Sequence, residues 1–277
     1  MDAAVQRRIQ RYGWDRAADL YERLWANQLA AAQDRLLALA ALQPGERVLE
    51  IACGTGLVTW PAAEAVGPTG RVVATDIADR MVERTAAEAA RRGLGHVSCR
   101  RMGAESIDEA VDTFNVVLCA LGLMYVPNVA IALRESHRVL APGGRLVAAV
   151  WGARRGCGWA DIFSIVEARV KSDVCPMFFS LGTADTLAHA LGAAGFGNLL
   201  AERISTILVY ASAEEAADAA FAGGPVAMAY SRFDQATRDA ARAEYLESID
   251  GYRDGAGYRV PGEFVVARGE KARSAPI

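Results

Sequence analysis

Aromatic and leucine positions recur at helical spacing through Trp14 to Leu42 (Tyr21, Leu24, Trp25, Leu29, then Leu36, Leu37 and Leu39). The spacing predicts one or two amphipathic helices over the first forty or so residues. Gln43-Pro44-Gly45-Glu46 then reads as a turn, and the pattern changes. Short, nearly continuous apolar runs appear at Arg47–Ile51, Arg71–Asp76, Val97–Met102, Phe114–Leu121 and Arg145–Trp151, each strand-like. Between them, Leu57–Val66, Asp79–Arg92 and Asn128–Leu140 are expected helices. After Trp151 the rhythm breaks into an irregular stretch, Gly152–Leu181. A helix at Ala184–Ala194, a strand at Leu199–Tyr210, an alanine-rich helical stretch at Ala213–Ile249 and a last strand at Glu263–Arg268 follow.

Strands that alternate with helices of this length give an α/β fold with a doubly wound, mostly parallel sheet, and right-handed crossovers put helices on its faces. Composition narrows the partners. The chain has 277 residues, 52% of them hydrophobic, with 30 Lys+Arg against 33 Asp+Glu and a net charge of -3. Such a chain can bury a sizeable core and carries no basic stripe for nucleic acid. No run reaches the ~20 apolar residues of a membrane span, and MDAAVQRRIQRYGWDR lacks the apolar segment of a secretory leader. A cytoplasmic protein with a small-molecule partner, no nucleic acid, no membrane, and a monomeric or homodimeric state is expected. Cys53, Cys99, Cys119, Cys157 and Cys175 form no CxxC pair, so reduced thiols and no metal are expected. The basic residues are all arginine apart from Lys171 and Lys271, a skew without functional weight.

The informative chemistry lies in Val48–Thr59, VLEIACGTGLVT, where a strand ends in a glycine turn and a helix begins. Gly54 and Gly56 let the backbone approach a ligand closely, and the carboxyl end of the first strand is where open α/β sheets bind ligands. A dinucleotide fingerprint needs a third glycine, but Thr59 stands in its place. Glu50, just upstream, would repel a pyrophosphate and suit a cation. Asp76 ends the second strand, where a carboxylate can accept both hydroxyls of a ribose. A ribose joined to a cation points to S-adenosyl-L-methionine, which leaves as S-adenosyl-L-homocysteine.

VLEIACGTG, then ATDIADRMVERT, RMGAES, FNVVLCALGLMYVPN and LRESHRVLAPGGRLVAAVWG, in that order over about Pro44–Trp151, resemble the class I S-adenosylmethionine-dependent methyltransferases. The branch they look most like is the small-molecule one that includes ubiquinone/menaquinone-type C-methyltransferases. The resemblance implies a Rossmann-like seven-stranded sheet of order 3-2-1-4-5-7-6, its last strand antiparallel, with a helical cap or lid. It implies one methyltransferase domain over 1–277: a cap at 1–42, a cofactor-binding core at 43–151, lid or acceptor insertions at 152–181 and 213–258, and a final strand at 262–268. It assigns Glu50, Ala52, Gly54 and Gly56 to the methionine end, Asp76 to the ribose, and Ile77 and Met81 to the adenine faces. Ala104 and Glu105 match the adenine edge, and Cys119, Ala120 and Leu121 the sulfonium side. Gly103-Ala104 stands where the family often has Asp-Ala, so the usual acceptor for the adenine amine is missing.

Methyl transfer from a sulfonium releases a neutral leaving group and needs no acid, so alignment and desolvation carry the catalysis. A base is needed only for a protonated, weakly acidic acceptor. Tyr21, Trp25 and His189 are the acceptor-side candidates, and Trp14, Trp159, Phe163, Phe178, Phe179, Tyr230 and Phe233 the candidate apolar walls. The fourth strand ends in Ala120-Leu121-Gly122-Leu123, unlike the Asn/Asp-Pro-Pro-Tyr of enzymes that methylate nucleobase or glutamine nitrogens. A small, partly apolar acceptor methylated at O, N or C is expected. The alternatives are thiolate-assisted methylation of a soft metalloid such as arsenite through Cys119, Cys157 and Cys175, and a non-catalytic S-adenosylmethionine-binding protein.

Overall fold

The computed structural model describes residues 2–170 and 178–273. The opening helical pattern forms one helix, α1 (Ala3–Ala40), capped by the Asp2 carboxylate, which accepts from the Ala4 N–H at 2.7 Å. The core follows as β1 (Arg47–Ile51), α2 (Thr59–Val66), β2 (Arg71–Asp76), α3 (Asp79–Arg91), β3 (Val97–Arg101), β4 (Phe114–Ala120), α4 (Val129–Val139) and β5 (Leu140–Trp151). Beyond it lie α5 (Ile162–Glu167), α6 (Thr186–Ala193), β6 (Gly197–Tyr210), α7 (Ala213–Phe221), α8 (Ala227–Tyr230), α9 (Gln235–Ser248), the two-residue β7 (Arg253–Asp254) and β8 (Gly257–Glu270).

The sheet runs β3-β2-β1-β4-β5-β8-β6, with β7 paired to β8. Strands β3 through β5 are mutually parallel, and β8 is antiparallel to both β5 and β6. Counting the seven long strands, this is the order expected, with the last strand reversed. β1 and β2 are buried at every position after their first residue, as parallel strands covered on both faces must be.

Two differences from the sequence pattern have clear causes. The alanine-rich stretch Ala213–Ile249 is not one helix: Gly223-Gly224-Pro225 stops α7, and Asp234 starts α9 by accepting from the Thr237 N–H at 2.8 Å. A side chain at Gly223 would meet Leu24 Cδ1 at 2.8 Å, so glycine there lets this loop press on α1. The final strand runs from Gly257 to Glu270, beyond 262–268 mainly at its start, because β6 pairs with it along nearly its whole length.

Helix α1 packs across β4, β5, β6 and β8 with its second half, burying Leu24, Trp25, Leu29, Ala32 and Leu36, and meets α3 with its first half. Its last turn is fixed by Arg145 of β5, whose guanidinium donates to the carbonyls of Ala40 and Ala41 and pairs with Glu46 at 2.8 Å. Arg145→Ala strips charged donors from a largely buried site and is expected to cost about 2 kcal/mol. Denaturant unfolding measures that loss, and ligand binding at the carboxyl ends of the strands should stay unchanged.

Candidate functional site

The carboxyl ends of β1 through β5 open on one cleft, walled by their loops on one side and by helix α1 on the other. It sits where the strand order turns from β1 back to β4, the switch point at which open α/β sheets bind ligands. The strand ends supply one wall: Ala52 and Gly54 after β1, Asp76 and Ile77, Met102 to Glu105, Ala120 to Gly122, and Trp151. Helix α1 supplies the other with Arg7, Gln10, Trp14, Tyr21, Trp25 and Leu29, a stripe on one helical face.

Polarity divides this cleft. Its charged side chains, Arg7, Asp76 and Glu105, all lie at the β2–β3 end. The β4–β5 end is walled by aromatic rings: Trp151 and Trp159 stand with centroids 4.7 Å apart, Trp25 lies 6.1 Å from Trp151, and Phe178 lies 5.7 Å from Trp159. Trp14 lies between the halves, edge-on to Tyr21 at 5.6 Å and to Tyr125 at 5.2 Å.

Asp76 is 6% exposed. Its Oδ2 accepts from the Gly54 N–H at 3.0 Å and its Oδ1 from the Ala78 N–H at 2.9 Å. Burial pushes its ionisation up to about 6 against the opposing pull of those N–H groups, so it is charged at neutral pH. Tyr21 covers the Gly54 turn, 3.6 Å from where a glycine side chain would begin, and burial together with the Asp76 charge holds its phenol protonated. Ala52 and Leu121, on the loops after β1 and β4, adopt the left-handed backbone (φ 56° and 60°), a strained conformation that clusters at ligand sites. A side chain at Gly122 would collide with Ala52 Cβ, so these two loops touch across the switch point.

Several expected site residues stand elsewhere. Glu50 is 1% exposed and lies behind the wall, where it accepts from Thr59 Oγ1 at 2.5 Å. Gly56 is also off the wall; a side chain there would strike the Trp60 ring. Cys119 is buried beneath Gly122, behind Ala120 and Leu121, because successive strand residues face opposite sides. Ala52, Gly54, Asp76, Ile77, Met81, Ala104, Glu105 and Leu121 do line the cleft, as do Tyr21 and Trp25. Glu105 is already engaged, its Oε2 by Arg7 at 2.7 Å and its Oε1 by the Asn128 N–H at 3.0 Å. His189 is exposed on α6 and outside the cleft. Of the expected apolar walls, Trp14, Trp159 and Phe178 line it; Phe163 and Phe179 pack behind them, and Tyr230 and Phe233 pack beside Phe221 and each other. Arg7, Gln10, Leu29, Tyr125 and Trp151 line it unforeseen; the stripe through Trp14 and Tyr21, extended toward the N-terminus by helical steps, reaches the first two.

The thiols do not suit metalloid chemistry. Burial pushes Cys119 and Cys157 up to about 12 and Cys99 up to about 11, and raises Cys53 as well. Cys175 lies outside the described residues. Among the described residues no group of three or more His, Cys, Asp or Glu side chains is placed to hold a metal ion, and no helix is long and apolar enough to cross a membrane.

Residues 48–144 match a protein family described as "Methyltransferase domain". The chain carries a methyltransferase domain. That domain is of the S-adenosylmethionine-dependent kind. Nocamycin O-methyltransferase of Saccharothrix syringae is 39% identical over 133 residues, 48% of this chain and 48% of that protein. A ubiquinone/menaquinone biosynthesis C-methyltransferase of Ectopseudomonas mendocina is 43% identical over 110 residues, 39% of this chain and 43% of its own length. The matched segments thus span about half the length of these curated relatives. In fold, the crystal structure of a putative methyltransferase from Bacillus halodurans is similar, with a TM-score of 0.60 and 22% identity over 87% of this chain and 99% of that one.

The lining of the methyltransferase domain suits the cofactor. Among its described charged lining residues, two carboxylates stand against one arginine, which favours a cationic ligand over a pyrophosphate. The buried Asp76 carboxylate retains lone pairs for hydroxyl donors beyond its two backbone N–H groups.

Glu50 makes a test of the wall behind the site. Burial pushes it up to about 8 from 4.5, so the stability it contributes is fully present below about 4.5 and is lost as pH rises through about 8. Glu50→Gln keeps an acceptor for Thr59 without the charge. Its melting temperature should match the wild type near pH 4.5 and exceed it above pH 8; equal melting above pH 8 would show that Glu50 ionises freely.

Proposed function

We propose that this chain is an S-adenosylmethionine-dependent methyltransferase for a small, flat, partly apolar metabolite. The observation that carries this reading is the division of one cleft into a carboxylate-bearing half at β2–β3 and an aromatic half at β4–β5. Asp76 accepts the ribose hydroxyls, the Ala52–Gly54 turn holds the methionine end, and Ile77 and Met81 flank the adenine. With Glu105 engaged by Arg7 and Asn128, the backbone of Met102 to Ala104 serves the adenine edge.

The bound cofactor supplies an electrophilic methyl carbon on a cationic sulfur. The chain's own work is positioning: Leu121 and Ala120 meet the reacting end, Tyr21 and Trp25 close over it from α1, and the tryptophans exclude water and align the acceptor. Relatives named for O- and for C-methylation both match the core, in keeping with a core that holds the cofactor and a cover that chooses the acceptor.

Calorimetry tests the reading. S-adenosylhomocysteine should bind one to one, NAD should not, and Asp76→Ala should weaken binding at least about tenfold, the loss of charge-assisted hydrogen bonds. Affinity should also fall as pH drops through about 6, where Asp76 takes up a proton and loses acceptor capacity. Equal affinity for wild type and Asp76→Ala would place the cofactor elsewhere.

A further inference from the structure

The turn after β1 commits its own donors to the fold. The Cys53 N–H donates to the Thr75 carbonyl at 2.9 Å, the Gly54 N–H to the Asp76 carboxylate at 3.0 Å and the Gly56 N–H to the Cys53 carbonyl at 3.0 Å. Across the switch point the Leu121 N–H donates to the Ala149 carbonyl at 2.8 Å. Cations are missing here too. Among the described lining residues of the cleft there is no lysine, and the one arginine, Arg7, pairs with Glu105 at the β2–β3 end at 2.7 Å. The methionine end of the cofactor carries an ammonium and a carboxylate. The ammonium is attracted by the buried Asp76 charge, whereas the carboxylate meets neither a cation nor a turn N–H from Cys53, Gly54 or Gly56.

One donor does face the turn. Tyr21 stands on the cleft-lining stripe of α1, its Cε1 3.6 Å from where a side chain at Gly54 would begin and its ring edge-on to Trp14 at 5.6 Å. Its hydroxyl makes no hydrogen bond among the described residues, and that oxygen is not one of the buried, unpartnered polar atoms of the fold, so it opens on the cleft. Burial and the nearby Asp76 charge keep the phenol protonated, which makes it a hydrogen-bond donor and not a base.

Resting on the proposed methyltransferase reading, we infer that Tyr21 binds the amino-acid end of the cofactor, its hydroxyl donating to the methionine carboxylate over the Gly54 turn in place of a cation. A hydrogen bond to an ionised acceptor is roughly twice as strong as a neutral one, and here its donor loses no other partner. The cofactor is then anchored on both sides of its sulfur, by the ribose at Asp76 on the floor and by the carboxylate at Tyr21 on α1. Two anchors restrict the direction of the methyl carbon before any acceptor enters.

Calorimetry on the full chain with paired ligands and paired proteins tests this role. S-adenosylhomocysteine is compared with its decarboxylated analogue, which keeps the adenosine, the sulfur and the ammonium. Each is bound to the wild type and to Tyr21→Phe, which keeps the ring against Trp14 and Gly54 and removes one hydroxyl. The substitution should weaken S-adenosylhomocysteine about tenfold, the loss of a hydrogen bond to a charged group, and the analogue by less than about twofold. Unliganded, the two proteins should melt within about 2 °C of each other, because the hydroxyl has no partner to lose. An equal loss for both ligands would make Tyr21 a packing or ribose contact, and no loss for either would put the carboxylate elsewhere. Each of these overturns the inference and leaves the methyltransferase reading standing. Failure of S-adenosylhomocysteine to bind the wild type would overturn both.

Discussion

The site depends on a carboxylate held charged where water scarcely reaches. Asp76 ends β2 with its side chain 6% exposed, and two backbone N–H groups, from Gly54 on the β1 loop and Ala78 at the start of α3, keep it there. The same contacts draw three segments together, because the Cys53 N–H also donates to the Thr75 carbonyl at 2.9 Å. The glycine at position 54 matters in this setting: with φ 57° it turns the chain back so that its own N–H faces Asp76. Removing the carboxylate would leave two buried N–H groups without an acceptor as well as stripping the cleft of its charge.

Around that point the chain separates two tasks. The parallel strands and their loops form a fixed floor, with strain stored at Ala52 and Leu121 and close packing at Gly122. Helix α1, the segment at Trp159 and the Gly224-Pro225 loop form the roof, and α1 contributes to both halves of the cleft. Its first half is tied down by ion pairs, Arg7 to Glu105, Arg11 to Asp79 and Asp19 to Arg80 and Arg84, whereas its second half is sunk in the core. Exposed pairs of that kind are worth little singly, and the first half also packs Trp14, Ala18 and Tyr21 on Ala78 and Met81.

Much of this was legible in the sequence for a physical reason. Parallel strands buried on both faces leave continuous apolar runs, and a switch-point loop needs glycine, so Arg47–Ile51, Arg71–Asp76 and Gly54 were visible. Side-chain direction was harder to read. Glu50 and Cys119 lie in the right segments but point behind the wall, since a strand alternates its faces and the register is set by packing with neighbours. Partners distant in sequence were invisible: nothing near Glu105 announces that Arg7, ninety-eight positions away, engages it. The alanine-rich stretch is helical as its composition suggests, but alanine favours helix everywhere, and only its Gly-Gly-Pro break shows where α7 must stop against Leu24.

In the proposed methyltransferase, one cleft holds the ribose at Asp76 and presents the reacting sulfur to the aromatic chamber. A crystal structure of the complex with S-adenosylhomocysteine tests this arrangement. Both ribose hydroxyls should lie within hydrogen-bond distance of the Asp76 carboxylate, and the sulfur beside Leu121, facing Trp25 and Trp151. A ribose lodged against Trp151, or a sulfur turned toward Asp76, would contradict it.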